Sequence, residues 1–498
     1  MPVTAALLAC VGSSHIHEIQ WYEARTPYFT LWSSLDAEQT LALATDLSLF
    51  HAFFEASTTE VRTEPVIPTY IYAFDSTLLA RQFLGSREMV SAFHSGMRDN
   101  RIVLKRMAAS GKILELQRYQ YARSLLRNDR SPYPLWYERG LAELLSTAEL
   151  RGDQLRIGRP SKSTRKQIRH AAFEKQWVSV ESLLERRDFA HATTDVHLLH
   201  AGYWLLVHYL HIGRSEGSDA ERDVARYLEL WRAGEPSEVA LQRAFGMTAS
   251  ELDSAVRAYA KTNPFPERTL DGVEIEVPIE PDVRSMHTAE IARALGWLSL
   301  KTESFSRASA YFEEAVSIDP NDAHARGGVA VVLDYQDRFA KAAPLWQAVF
   351  VENPENALLH LEYARHWDDR ASEADDPAEI TALLTKAREH YLRSRALDAS
   401  RPETHALYGA TFLHAGENPW RGFDSIVRAH EMLGSNPEFN LFLACAYAQG
   451  GRMQEARRAA WIPREWIRYW RRKDIDRILR QYPSGCQSHW QDLLFAER

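Results

Sequence analysis

Cysteine is nearly absent from the 498 residues: Cys10, Cys445 and Cys486 are too few and too scattered for a disulfide framework or a cysteine-built zinc module. No apolar run approaches the roughly 18–20 residues of a membrane-spanning helix, and the longest candidate, Tyr203 to Leu210, is broken by His208. Positive charge is not in surplus either. The net charge of −8 removes the electrostatic reason to expect nucleic acid as a partner. Catalytic signatures are missing too: there is no GxSxG, no Walker A loop, no GxGxxG and no HExxH. The His-Glu pairs His17-Glu18 and His430-Glu431 carry Trp21 and Gly434 at the fourth position after the histidine. What is present is ordinary folded material, 45% hydrophobic and 25% charged with 14 Trp and 20 Tyr. At about 150 residues per domain the length predicts two to four structural units.

The second half repeats itself. Leu295, Gly296, Ala308, Phe312, Ala315 and Pro320 recur 34 positions later as Val329, Ala330, Ala342, Trp346, Val349 and Pro354. This pattern resembles the tetratricopeptide (TPR) repeat, which implies paired antiparallel helices that approach at the small residues, filled by Phe312 or Trp346 and closed by proline. A third unit starts near Ala357. It carries an acidic insertion, DDRASEADDPAE, expected as a surface loop before Ala387 and Tyr391. Looser units run from Leu407 to Ala429 and through Tyr447, Gly451 and Ala456, giving four or five repeats over 286–460. Residues 461–498, rich in Trp and Arg, read as a helix covering the end of the array, with interfacial membrane contact as the alternative.

The first half predicts strands at Tyr28–Ser33 and Val66–Phe74, then mostly helix from Gly111 to Tyr259: an α+β domain joined to an all-α array. Residues 262–285, rich in proline and acid, read as a linker or connecting strand.

One segment, Tyr119 to Pro160, resembles the active-site region of gluzincin-type zinc metallopeptidases, and most closely the peptidase MA-like domain of bacterial envelope proteins that also carry TPR repeats. Tyr121, Leu125, Leu126, Arg127 and Asn128 match the family's first helix. Tyr133, Pro134, Trp136, Tyr137, Gly140, Ala142 and Glu143 match its second, and Ile157, Gly158 and Pro160 the hairpin that follows. The resemblance covers about 21–261 and implies a small sheet followed by helices. The zinc chemistry it would imply needs two histidines four apart, a glutamate base between them and a glutamate from the next helix. Those positions hold Tyr119, Gln120, Arg123 and Arg139. Gln120 cannot take up a proton as a carboxylate does, and two guanidinium groups repel a dication. The resemblance therefore implies the fold without the activity: no catalytic residue, no metal and no cofactor are expected.

Two readings compete for the altered cleft: Arg123 and Arg139 bind an anion such as a peptide carboxylate, or they pair internally with Glu138, Glu143 or Glu115. A histidine run, His191, His197, His200, His208 and His211, is the remaining metal candidate, because on one continuous helix the last four fall on one side. Core packing is the alternative for His208. The basic stretch Arg156–His170 is either a solvated loop or a phosphate contact.

By the geometry of TPR repeats, Arg293, Trp297, Lys301, His324, Asp334 and Tyr335 are expected to line a groove for a peptide or partner helix. The expectation is a non-catalytic pseudopeptidase acting as a protein-binding scaffold, the alternative a hydrolase with a non-standard metal or metal-free site in the retained cleft. The start, MPVTAALLAC, looks like an incomplete lipoprotein signal over residues 1–20 with Cys10 as the lipidated residue. Bacterial envelope, periplasm or secretion is expected on that ground, with the cytoplasm as alternative.

Overall fold

A computed structural model describes residues 15–58, 61–84, 92–105, 115–173, 176–185, 196–214, 219–262, 264–272, 281–352, 355–414 and 417–467. Cys10, Cys486, His191, Trp470 and Trp490 lie outside these. Among the described residues no helix is long and apolar enough to cross a membrane.

Strands β1 (Tyr22–Arg25), β2 (Thr30–Ser33), β3 (Thr69–Phe74), β4 (Ala92–His94), β5 (Asn100–Lys105) and β9 (Asp282–Ser285) form one sheet in the order β4-β5-β3-β2-β1-β9. Its centre, β2, β3 and β5, is parallel and its outer pairings are antiparallel. A second sheet joins the hairpin β6 (Glu149–Arg151) and β7 (Gln154–Ile157) to β8 (Arg268–Leu270). The helices of this half are α1 (Ala37–Ser57), α2 (Thr77–Leu84), α3 (Glu115–Arg127), α4 (Leu135–Ser146), α5 (Lys162–Phe173), α6 (Val180–Glu185), α7 (Val196–His208), α8 (Ala220–Arg232), α9 (Ser237–Phe245) and α10 (Ala249–Tyr259). A π-helical turn, Tyr209–Gly213, continues α7.

The run TYIYAF in β3 has no polar face because both faces are covered. Strand alternation sends Ile71 and Ala73 into the core with α1, α3 and α4, and Tyr72 and Phe74 to the opposite side. There, with Trp21 and Val103, they meet Ile291, Leu295 and Leu298 of the first repeat. The Tyr72 hydroxyl donates to the Ala294 carbonyl at 3.0 Å.

The second half runs α11 (Thr288–Lys301), α12 (Phe305–Ile318), α13 (Ala323–Asp334), α14 (Phe339–Glu352), α15 (Ala357–Glu373), α16 (Pro377–Leu397), α17 (Pro402–Ala410), α18 (Trp420–Met432), α19 (Pro437–Gln449), α20 (Met453–Ala459) and α21 (Trp461–Ile467). Five helical hairpins, α11/α12 to α19/α20, stack among the described residues. The small residues do what the repeat spacing implies: a Cβ on Gly296 would come within 2.7 Å of the Phe312 ring, so only glycine admits that ring. Phe312 and Trp346 are fully buried at equivalent places.

Two sequence expectations change. The acidic insertion is no surface loop: its first half extends α15 to Glu373, and α16 restarts at Pro377 with Asp376 as N-cap. Its Ala, Glu and Arg content favours helix, and Pro is accommodated at a first helical position. The basic stretch is mostly α5, whose N-terminus is capped by Ser161 Oγ accepting from the Thr164 amide at 3.0 Å, with its Lys and Arg facing solvent. The segment read as a linker or connecting strand takes the second form, supplying β8 and β9, each closing a sheet edge of the first half.

The halves meet at several more places. The Arg62 side chain donates to the Met432 carbonyl at 2.7 Å, and Ser435 Oγ to the Arg127 carbonyl at 2.8 Å. Trp461, the first residue of the terminal segment, packs edge-on to Trp231 of α8, 6.3 Å between ring centres. The repeat array thus curls around the first half, touching it at its beginning, middle and end.

Candidate functional site

Helices α3 and α4 place Tyr119, Gln120, Arg123 and Arg139 together. The proline-led turn at Ser131–Pro134 lets α4 fold back on α3, and Gly140 lets α7 lie against α4 because a Cβ there would strike the Tyr203 backbone. At the centre is Glu138, 1% exposed. Arg123 Nε donates to Glu138 Oε1 at 3.1 Å, and its terminal nitrogen to Gln120 Oε1 at 3.0 Å. Arg127 pairs with the other carboxylate oxygen, and Arg139 Nε stands 4.0 Å from the first. Arg139 also donates to the Tyr119 hydroxyl at 2.9 Å, which in turn faces His200 Nδ1 at 3.4 Å. Burial pushes the Glu138 carboxyl up, but Arg127, Arg123 and Arg139 together outweigh it and hold the group below its ordinary value. Burial and the neighbouring Arg139 lower Arg123 to about 10, so it remains charged at neutral pH.

Internal pairing thus falls to Glu138. Glu143 instead accepts from Thr164 Oγ1 at 2.8 Å, and burial raises its pKa. The residues present do not fit zinc: the four positions offer a phenol, an amide and two cations, with a carboxylate already engaged by arginines.

The histidine stripe separates. His197 is exposed and His200 faces Tyr119. His208, fully buried, donates from Nε2 to the Gly158 carbonyl at 3.0 Å and accepts the Tyr259 hydroxyl at Nδ1, 2.9 Å. His211 sits on the π turn beside Tyr137, with its ring centre 5.8 Å away. Among the described residues no three His, Cys, Asp or Glu side chains are grouped to hold a metal ion.

These imidazoles carry a pH prediction. Burial lowers His200 to about 3 and His51, His94, His208, His211 and His390 to about 4. The unfolded chain takes up these protons near 6.5, so the stability gained from neutral rings is complete above that pH and is lost as pH falls from about 6.5 towards 4. Asp369, raised to about 7 by burial, and Glu143, also raised by burial, run the other way, against these six imidazoles and the likewise lowered His324, His405 and His430. Denaturant unfolding at pH 5 should show lower stability than at pH 7.5; equal or higher stability at pH 5 contradicts it.

The expected groove is entered by the β4–β5 turn, and a cavity of about 380 Å³ remains there beside Trp297, Lys301 and Tyr335. Arg98, in the β4–β5 turn, enters the array between Glu362 of α15 and Glu403 of α17, with its guanidinium 5.0 Å from the Trp297 ring centre. Lys301 is buried near Asp99, whose carboxylate takes two hydrogen bonds from Arg101 at 2.9 and 2.7 Å. Arg293 pairs with Asp322 at 2.5 Å, His324 bonds Asn356 at 2.9 Å, and Arg365 donates to the Tyr335 hydroxyl at 3.2 Å. Asp334 lies inside the array, accepting from Trp346 Nε1 at 2.8 Å and bonded to His366 Nδ1 at 2.7 Å. Of the six residues assigned to a partner groove, Trp297 and Lys301 lie against the β4–β5 turn of the first half, while Arg293, His324, Asp334 and Tyr335 pair within the array. Nothing in the sequence around Arg98 signals this beyond an arginine in a short turn.

No known protein-family pattern matches the chain, and no curated protein matches it. Among solved structures it is similar to a thermophilic TPR protein of Thermus thermophilus, at 17% identity over 39% of this chain and 98% of that one, TM-score 0.34. It is also similar to Pseudomonas aeruginosa pilF, at 14% identity over 42% and 93%, TM-score 0.30. A third similarity is to the MamA protein, at 11% identity over 42% and 97%, TM-score 0.26. The second half has a TPR-like architecture, its hairpins among the described residues starting at Thr288, Ala323, Ala357, Pro402 and Pro437.

Proposed function

We propose that the chain is a non-catalytic relative of gluzincin metallopeptidases, acting in the bacterial envelope as a protein-binding scaffold through its TPR array. The observation that carries this reading is the closed cluster of Arg123, Arg127 and Arg139 on Glu138, where a peptidase of that type would hold zinc and its base. Such a cluster polarises no water, and the two arginines it immobilises are engaged with Glu138 and Tyr119. A partner that uses the concave side of the repeats must displace Arg98.

The hydrolase reading has one observation in its favour. Glu143, on the same helix as Glu138, is a carboxyl whose pKa is raised by burial, as a proton-holding acid requires. The test is cleavage of unfolded casein by the purified chain and its Glu143→Gln variant, with and without added zinc. The scaffold reading expects no cleavage from either; cleavage abolished in the variant would establish the hydrolase.

A further inference from the structure

Away from the arginine cluster, the first half holds a cavity of about 100 Å³ between the end of α1, α4, the π turn and α8. Its walls are apolar: Leu141, Leu144, Val224, Ala225 and Leu228, with Tyr137 along one side. The polar groups around it are mostly engaged. Tyr133 donates to Asp129 at 2.6 Å, and Ser57 and Thr58 donate to backbone carbonyls of α1 at 2.5 and 2.7 Å. Glu221 and Arg268, at the rim, pair with each other at 2.7 Å. His211 differs: its Nε2 is buried and makes no hydrogen bond among the described residues. The π turn that carries it is anchored by Gly213, where a Cβ would come 2.5 Å from the Tyr259 ring. Widened turns of this kind are frequent at functional sites.

A buried ring nitrogen without a partner costs stability unless something else meets it. An enclosed apolar cavity of about 150 Å³ admits benzene, so this smaller space, which is partly open to solvent, takes at most one ring or its equivalent. We propose that this cavity binds a small molecule with a single aromatic ring, or an apolar group of like size, bearing one hydroxyl or similar polar group that hydrogen-bonds His211 Nε2. The ring packs on Leu141, Leu144 and Leu228 beside Tyr137, and the polar group selects among ligands of equal volume. Burial lowers His211 to about 4, so at neutral pH the imidazole is uncharged and favours a neutral hydroxyl over a carboxylate.

The test uses 4-fluorophenol and fluorobenzene as probes, followed by ligand-observed fluorine NMR on the full chain. 4-Fluorophenol is expected to bind saturably, and fluorobenzene about five- to ten-fold more weakly, the difference one hydrogen bond makes. His211→Phe keeps the ring's shape and should erase that discrimination. Ala225→Phe should abolish saturable binding of both probes, with circular dichroism confirming its fold. No saturable binding to the unaltered chain, equal affinity for the two probes, or unchanged binding in folded Ala225→Phe overturns the proposal.

Discussion

Glu138→Gln should cost the chain about 3–5 kcal/mol of unfolding free energy, the loss seen when one partner is removed from a buried ion pair. The substitution keeps the shape and removes the charge. Arg123, Arg127 and Arg139 then face one another across a neutral amide in a site that excludes water. Hydrophobic replacement of the group, Glu138→Leu with Arg123→Met and Arg127→Met, should recover much of the loss, because it removes the desolvation cost together with the attraction. A pH dependence accompanies it. Glu138 has a folded pKa below its unfolded value, so its contribution is present above the ordinary carboxylate range and disappears as pH falls through the folded pKa; Glu138→Gln lacks that component. Denaturant midpoints at pH 7 and pH 4 measure both effects. A loss below about 1 kcal/mol at pH 7 would show an exposed, screened cluster instead.

Arg98→Glu is the second large effect, and it acts between the halves. Glu362 and Glu403 are each 3% exposed, Arg98 lies against both, and Arg365 also donates to Glu403 at 3.2 Å. A glutamate at position 98 sets a third carboxylate among them with one arginine left to share. Local destabilisation of about 3 kcal/mol or more is expected. Hydrogen–deuterium exchange should rise in β5, α15 and α17, while the stacked pairs α11/α12 and α13/α14 keep their protection. Arg98→Lys should retain part of the contact, losing the forked geometry and the stacking on Trp297. Unchanged exchange in Arg98→Glu would mean the array and the first half hold together without this contact.

The repeat array was legible in the sequence because its code is local. A glycine or alanine every 34 residues and a large ring four positions after a small residue specify a hairpin whatever lies elsewhere, and Gly296, Ala308 and Phe312 fold as that code implies. The gathering of Arg123 and Arg139 was legible for the same reason: both sit on neighbouring helices joined by a short turn. Hidden features depend on distant parts of the chain. Lys301 reads as a groove residue only if nothing else enters the concave side there, and what enters it is a turn some 200 positions away in sequence. The histidine stripe assumed 3.6 residues per turn throughout; the π turn after His208 breaks that period and carries His211 to a different cavity. The strands β8 and β9 were obscured because each is only three or four residues long and its pairing partner lies far back in the chain.

The central claim is that the positions of a zinc site have become a structural ion cluster, and elemental mass spectrometry of the purified, chelator-free chain tests it most directly. The account predicts substoichiometric zinc that does not change in a His200→Ala, His208→Ala double variant. One zinc ion per chain, lost in that variant, would contradict it and restore a metal to the first half.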